Sequence, residues 1–260
     1  MEVVIVARPE ELAGVVADAV ESLVRRRPTP VLGLATGSSP LPVYDELVRR
    51  HGRGGLSFAA TTAFLLDEYV GLPFDHPESY RAVIEREFTG RVDFDQQRVH
   101  GPDGLDTDLQ AACAAYEAAI VEAGGIDLQL LGVGGDGHIG FNEPGSSLAS
   151  RTRLKTLTAQ TRLDNARFFD SLDAVPRHVL TQGVGTILEA RHLVLVATGE
   201  VKAAAVASLV EGPVTAFFPA SALQLHPHVS VVIDEPAAGQ LRLADYYREA
   251  YAGKPPWQTL

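Results

Sequence analysis

The sequence predicts a single α/β domain, residues 1–260, in which helices cover both faces of a mainly parallel sheet. Apolar runs of strand length alternate with helical patterns along the whole chain, without a break in composition that would mark a linker. Most of these runs lack polar alternation, which is typical of strands buried on both faces of a parallel sheet. The chain has 260 residues, 46% of them hydrophobic, and can therefore bury one large core.

Six strands and six helices are expected in alternation. The strands are predicted from apolar runs at 3–6, 31–35, 62–66, 126–133, 192–198 and 229–234. The helices are predicted at 10–26, 41–51, 78–88, 107–123, 201–211 and 239–251. In the fourth helix, an apolar stripe recurs at the helical spacing i, i+3, i+4, i+7 and i+11 from Leu109 to Ile120. Ligands of such sheets bind at the carboxyl ends of the strands, so the residues just after each strand are the candidates for chemistry.

Charge and cysteine content exclude several function classes. The 22 Lys and Arg against 33 Asp and Glu give a net charge of −11, which disfavours nucleic acid and anionic membranes as partners. The single cysteine, Cys113, rules out an internal disulfide and a zinc-binding cysteine cluster. No signal peptide or membrane-spanning run is recognised, so we expect a cytoplasmic protein.

Residues 145–177 interrupt the regular pattern. The segment is polar and carries six basic side chains against three acidic ones, in a chain that is acidic overall. A long, weakly patterned stretch within a compact domain is usually functional or disordered. We expect a lid that meets an anion, and a solvated connector with short helices is the alternative.

The turn after the second predicted strand has the character of an anion site. Gly37 permits a tight turn, Ser38 and Ser39 offer hydroxyl and backbone donors, and Pro40 suits the first position of a helix. The turn lacks the Gly-Lys-Ser/Thr of a nucleotide-binding loop and a full dinucleotide fingerprint, so ATP and NAD are disfavoured. An ordinary capped turn is the alternative interpretation.

A similar turn follows the fifth predicted strand and leads to Lys202. A cation in the first turn of a helix opposes the helix dipole, and an anionic ligand would remove this conflict. The position therefore favours a phosphate ligand, whereas a solvent-facing lysine is the alternative.

Two acids, Asp67 and Glu68, come directly after the third predicted strand. Partial desolvation at such a position can raise the pKa of a carboxylate toward that of a usable base. The alternative is structural, because Asp and Glu often cap the elements that follow strands.

The glycine-rich segment 130–144 gives the most specific signal. Asp136, His138 and Glu143 form a carboxylate, imidazole and carboxylate set within eight residues. One carboxylate can orient the imidazole while the ring moves a proton near neutral pH, which suits proton transfer on a sugar. The alternatives are a structural histidine and a metal site, but the spacing matches no common zinc motif and we expect no metal.

Five linked motifs together resemble the glucosamine-6-phosphate deaminase family. They are Leu-Ala-Thr-Gly-Ser-Ser-Pro at 34–40, Asp-Glu-Tyr-Val-Gly-Leu at 67–72, His-Pro-Glu-Ser-Tyr at 76–80, Gly-Gly-Asp-Gly-His-Ile-Gly-Phe-Asn-Glu-Pro at 134–144 and Ser-Leu-Ala-Ser-Arg-Thr-Arg at 147–153. The resemblance implies a Rossmann-like fold and conversion of glucosamine 6-phosphate and water to fructose 6-phosphate and ammonia. It implies a hydrolase acting on an amino sugar phosphate, without a metal, flavin or pyridoxal cofactor.

The resemblance also implies residue roles. Asp67 would take the C2 proton and return it to C1, and His138, held by Asp136 and Glu143, would open the pyranose ring. The residues implied to bind the 6-phosphate are Thr36, Gly37, Ser38, Ser39, Arg167 and Lys202.

Two alternative functions remain open. A 6-phosphogluconolactonase-like hydrolase would share the glycine-rich phosphate turn and the Asp-Gly-His element. Residues 141–144 favour the deaminase, because they supply Glu143 as the second carboxylate beside His138. A catalytically silent sugar-phosphate sensor is disfavoured by the intact set of acidic and imidazole side chains.

The resemblance further implies regulation by N-acetylglucosamine 6-phosphate at the subunit contacts of a homo-oligomer. The matching residues here are Ser146, Arg153, Lys155 and Thr156. A family tyrosine near the C-terminus contributes to the same site, but Arg248 stands at its place. The alternative is that these residues only solvate the lid or hold a subunit contact.

Overall fold

A computed structural model describes residues 1–255, 257, 258 and 260, without the side chain of residue 164. The strands are β1 (Glu2–Val6), β2 (Val31–Leu34), β3 (Thr62–Leu65), β4 (Asp67–Tyr69), β5 (Val99–His100), β6 (Leu128–Leu131), β7 (Arg153–Thr156), β8 (His178–Thr181), β9 (Leu193–Ala197) and β10 (Val229–Asp234). The helices are α1 (Pro9–Arg26), α2 (Leu41–Gly52), α3 (Tyr80–Glu87), α4 (Leu109–Glu122), α5 (Ala159–Asn165), α6 (Val184–Ile187), α7 (Ala203–Glu211) and α8 (Ala244–Ala252).

The central sheet contains seven of the described strands, in the order β1-β10-β9-β6-β2-β3-β5. Every pair of neighbours in this sheet is parallel. Successive residues of one strand point to opposite faces, so Leu130 and Leu131 belong to two different core layers. Helix α1 packs in one layer and helices α4 and α7 in the other. The predicted α/β class, with a mainly parallel sheet between helices, is confirmed.

The chain reverses its direction across the sheet between β2 and β6. From β2 it moves outward through β3 to β5, and from β6 it moves the opposite way through β9 to β10. The two strands are direct neighbours, with Leu32 opposite Leu128. Such a switch point opens a crevice at the carboxyl ends of the strands, where ligands of α/β proteins bind.

A second sheet of three antiparallel strands, in the order β4-β8-β7, was not expected. The chain leaves the central sheet at Leu66, whose N–H still bonds to the carbonyl of Leu34. The next residue, Asp67, begins β4 and pairs with Thr181 of β8. Asp67 therefore lies in a strand and not in a loop, and the segment 145–177 contains β7 in addition to short helices.

Strand β5 and the short helix α6 were not predicted either, and the other differences concern element ends. The helix expected from residue 239 begins at Ala244, because residues 234–241 form hydrogen-bonded turns. Helix α4 begins at Leu109, where the Asp108 carboxylate accepts the N–H groups of Gln110 and Ala111. No helix within the described residues is both long and apolar enough to cross a membrane.

Candidate active site

Four neighbouring strands bring the predicted site residues to one edge of the sheet. The turn 36–39 follows β2, Asp67 follows β3, the segment 132–143 follows β6, and Lys202 follows β9. A Cβ atom on Gly132 would lie 3.7 Å from the Cβ of Ser39, so the first and third segments are in contact. The segments therefore meet at the switch point.

The carboxylate of Asp67 is buried and stands apart from the polar groups that the structure describes. Only 5% of the residue is exposed, and the carboxylate makes no hydrogen bond to any of the described residues. Burial, and next the negative charge of Glu68, raises the pKa of Asp67 well above its usual range. A carboxyl group with these properties can exchange a proton with a bound ligand.

Glu68 adjoins Asp67 but has a structural role. Its buried carboxylate accepts the backbone N–H groups of Tyr69 at 2.8 Å and of Tyr80 and Arg81 at 2.9 Å each. Burial raises the pKa of Glu68, and these hydrogen bonds oppose the rise. Glu68 thus satisfies free donors at the start of α3, and the structure separates two acids that the sequence left equivalent.

Asp136, His138 and Glu143 lie together at the end of β6. The Nδ1 atom of His138 lies 2.7 Å from Oδ1 of Asp136. Burial acts to raise the pKa of Asp136, but the charge of His138 and the hydrogen bonds that Asp136 accepts outweigh it and hold the pKa below its usual value. The Thr161 hydroxyl donates to Glu143 at 2.9 Å, which connects α5 to this group.

One ligand atom from each of these three side chains lies within 4.8 Å of the others. The same arrangement could coordinate a cation, because carboxylates and imidazole are common metal ligands. The expectation that the site uses no metal stays a prediction.

Glycines let the segment 134–140 pack against its neighbours. A Cβ atom on Gly134 would lie 2.2 Å from the His138 ring. At Gly137 the backbone has φ of +86°, and a Cβ atom would lie 2.5 Å from the Phe218 ring. A side chain at either position would displace the imidazole or the turn that carries it.

The two predicted phosphate turns have open backbones at the carboxyl ends of β2 and β9. Gly37 has φ of +98° and is exposed with Ser38, whereas Thr36 and Ser39 are half-buried. Lys202 ends a 3-10 turn ahead of α7 and lies outside the helix proper. Its Nζ atom donates to the Val133 carbonyl at 2.8 Å, which directs the ammonium toward the end of β6. Burial lowers the pKa of Lys202, and the charge of Asp136 opposes this.

Arg167 is not drawn into this group of residues. The side chain is exposed, and its guanidinium carbon lies 4.7 Å from the centre of the Phe168 ring. No hydrogen bond or ion pair joins the guanidinium to any other residue that the structure describes. Arg167 therefore makes no polar contact with the residues at the four strand ends.

Three of the four predicted effector residues lie on β7, and Ser146 precedes this strand. Arg153 and Lys155 are half-buried on one face of β7, and Thr156 is exposed on the other face. The Arg153 guanidinium donates to the side-chain oxygen of Asn142 at 2.9 Å. Ser146 is buried, and its hydroxyl has no partner among the described residues.

Thr161 and Thr181 contact the site but were not singled out from the sequence. Thr161 bonds to Glu143, and the Thr181 hydroxyl accepts the N–H of Phe141. Neither residue lies in a motif, and both contacts join segments far apart along the chain. These contacts can be recognised only when the pairing of the strands and the placement of α5 are known.

The fold and these strand-end residues define an α/β protein with candidate proton-transfer groups at the switch point of its central sheet. A family model described as "Glucosamine-6-phosphate isomerases/6-phosphogluconolactonase" matches residues 7–232, and the chain belongs to this family. A protein of Arthrobacter sp. (strain FB24) named glucosamine-6-phosphate deaminase is 64% identical, and the alignment covers 100% of both chains. A protein of the same name from Mycolicibacterium smegmatis is 63% identical with the same coverage.

Solved structures agree with this placement. A monomeric glucosamine-6-phosphate deaminase is 44% identical with a TM-score of 0.89, over 92% of this chain and 100% of that one. A 6-phosphogluconolactonase from Trypanosoma cruzi is 21% identical with a TM-score of 0.74, over 93% of this chain and 97% of that one. The second likeness shows the shared fold alone.

The comparisons correct the expected enzyme class. The relatives are named for a deamination, and the family description names isomerases. The assignment to hydrolases was therefore wrong, and a deaminating isomerase is the class that these relatives support. The hydrolase class was implied by the family resemblance, whose overall conversion consumes water, and consumption of water does not by itself define the class.

Proposed function

We propose that this chain is a glucosamine-6-phosphate deaminase, which converts glucosamine 6-phosphate and water to fructose 6-phosphate and ammonia. The observation that carries the proposal is the buried carboxylate of Asp67, which has no hydrogen-bond partner among the described residues, together with a separate imidazole and carboxylate group at the same edge of the sheet. An aldose-to-ketose conversion needs a base for the carbon acid and another group for ring opening. Full-length relatives at 64% and 63% identity support the same activity.

Asp67 is the proton carrier in this proposal. It removes the proton from C2 of the open-chain sugar and returns it to C1, so that the carbonyl character moves from C1 to C2. The nitrogen at C2 then leaves as ammonia when water supplies the ketone oxygen. Burial supports this role, because it raises the pKa of the carboxyl group and so makes the ionised carboxylate a stronger base.

His138 opens the pyranose ring in this proposal. The imidazole accepts the proton of the C1 hydroxyl and delivers a proton to the ring oxygen of the pyranose. Asp136 orients the imidazole through its 2.7 Å contact with Nδ1. Glu143 provides the second carboxylate, and Thr161 fixes the orientation of Glu143.

The 6-phosphate binds to the turn 36–39 and to Lys202. Exposed backbone at Gly37 and Ser38 offers N–H donors near the start of α2, where anions are favoured. The Lys202 ammonium adds a positive charge in an acidic chain. Arg167 joins the phosphate when a lid within 145–177 closes over the sugar, and the exposed guanidinium is free to make this movement.

We further propose that N-acetylglucosamine 6-phosphate regulates the enzyme through Ser146, Arg153, Lys155 and Thr156, in a homo-oligomer. The Ser146 hydroxyl, which bonds to none of the residues that the structure describes, and the basic side chains on β7 support binding of an anionic sugar there. The proposed organisation is a single domain over 1–260. The free thiol of Cys113 supports a reducing compartment such as the cytoplasm.

Parallel assays on the purified chain test the proposed activity. We expect ammonia and fructose 6-phosphate from glucosamine 6-phosphate, and no acid release from 6-phosphogluconolactone. Acid release without ammonia would identify a lactonase. Binding of the amino sugar phosphate without turnover would identify a sensor.

A further inference from the structure

Thr181 lies between the two proposed proton-transfer groups. It is the last residue of β8, it is fully buried, and it stands directly opposite Asp67 in the antiparallel pairing of β4 with β8. The position of β8 along β4 therefore fixes where Thr181 stands relative to Asp67. None of the roles proposed above involves this residue.

The hydroxyl of Thr181 reaches the segment that follows His138. It accepts the N–H of Phe141 at 3.2 Å and donates to the carbonyl of Gln182 at 3.3 Å. A Cβ atom on Gly140 would lie 2.9 Å from this hydroxyl oxygen, so no side chain fits between the two segments. The hydroxyl thus joins the strand pair of Asp67 directly to the segment of His138.

Hydrogen bonds of the next residue, Gln182, reinforce the same junction. The buried side chain of Asn142 donates to the carbonyls of Gln182 and Ile139 at 2.8 Å each. The backbone N–H of Gln182 donates to the carbonyl of Leu66 at 2.9 Å, immediately before Asp67. The end of β8 is therefore bonded on one side to the strand of the base and on the other to the segment of the imidazole.

We propose that Thr181 is a positioning residue, whose hydroxyl sets the placement of His138 relative to Asp67. This inference rests on the deaminase function proposed above. Reacting groups that shift by about 1 Å can lose on the order of a hundredfold in rate, because proximity and orientation supply much of the catalysis. The hydroxyl does not contact the proposed phosphate turns, so substrate binding should change much less than turnover.

Three variants test this role. Thr181→Val keeps the shape of the side chain and removes its hydroxyl, whereas Thr181→Ser keeps the hydroxyl. Thr186→Val is the matched control. Thr186 lies in α6, it is also buried, and its hydroxyl donates to Glu117 of α4 at 2.6 Å. For each variant kcat, KM and Tm are measured in the ammonia assay.

We expect Thr181→Val to lower kcat by about ten- to a hundredfold with KM changed less than about threefold. Thr181→Ser should restore most of kcat, and Thr186→Val should lower Tm without this loss of kcat. A kcat of Thr181→Val equal to that of Thr186→Val, with normal activity of the unmodified chain, would overturn only the positioning role. No ammonia from the unmodified chain would overturn the proposed function, and the positioning role with it.

Discussion

The pKa of Asp67 gives the activity a definite pH dependence. Asp67 must be deprotonated to accept the C2 proton, and burial raises its pKa well above the usual range. We therefore expect kcat/KM to decline as the pH is lowered. The midpoint of this decline should lie above the pKa of an exposed aspartate. A pH profile of ammonia release measures this limb. A limb at the pKa of an ordinary exposed carboxylate would contradict the assignment.

The same rise in the pKa of Asp67 means that this residue destabilises the folded chain at neutral pH. Between the usual pKa and the raised pKa, the folded chain holds a proton that the unfolded chain has lost, so stability falls as the pH rises through this interval. Asp67→Asn cannot ionise, and we expect a higher Tm than that of the unmodified chain at neutral pH. Thermal unfolding measures the difference, which should shrink as the pH approaches the usual pKa of aspartate. A lower Tm at neutral pH would contradict this account.

His138 is proposed to open the sugar ring before Asp67 removes the C2 proton. His138→Gln keeps a polar side chain of similar length and removes the imidazole ring. We expect turnover of the closed-ring substrate to fall by about 10²–10⁴-fold, and turnover of an acyclic analogue to fall much less. Steady-state rates on the two substrates measure the ratio. Equal losses on both would place His138 in another step.

The segment 134–140 depends on particular glycines. We expect Gly137→Ala to destabilise the fold by about 1–3 kcal/mol, because φ is +86° and the added Cβ would meet the Phe218 ring. Gly135→Ala is the matched control, since nothing lies within 4 Å of its added Cβ. Urea unfolding of the two variants gives the comparison. Equal stability of the two would show that the turn tolerates a side chain at Gly137.

Six of the seven described strands of the central sheet were predictable, because strands buried on both faces read as continuous apolar runs, whereas the two-residue strand β5 was missed. Strand β10, Val229–Asp234, is buried along its whole length and was expected at the same bounds. The second sheet lacks this signal. Strand β4 is Asp-Glu-Tyr, and β7 alternates between half-buried and exposed positions within a basic segment. These short strands form because distant segments pair, which the local sequence does not encode.

The location of the candidate site could be predicted wherever the strand that precedes each site residue could be predicted. Parallel strands end at one edge, so Thr36, Asp67, His138 and Lys202 were expected to meet there, and the structure brings their segments together. Arg167 differs, because it lies in a short 3-10 turn outside the strands, which leaves its side chain exposed. The separate tasks of Asp67 and Glu68 depend on the start of α3, which only the tertiary structure places beside Glu68.

Regulation, as proposed, is a property of the assembled molecule. We expect N-acetylglucosamine 6-phosphate to lower the half-saturating substrate concentration by about five- to 150-fold. Lys155→Gln should abolish this response, whereas Arg177→Gln, an exposed arginine outside the proposed site, should preserve it. Saturation curves with and without effector, and the mass in solution, measure both claims. A monomer with hyperbolic curves and no response would contradict the proposed regulation.

The central claim is that this chain releases ammonia from glucosamine 6-phosphate through Asp67. The direct measurement is ammonia production by the unmodified chain and by Asp67→Asn, with substrate binding to both measured by calorimetry. We expect turnover by the unmodified chain, a loss of about 10²–10⁴-fold in the variant, and binding that is largely retained. Undiminished ammonia release by Asp67→Asn, or none by the unmodified chain, would contradict the account.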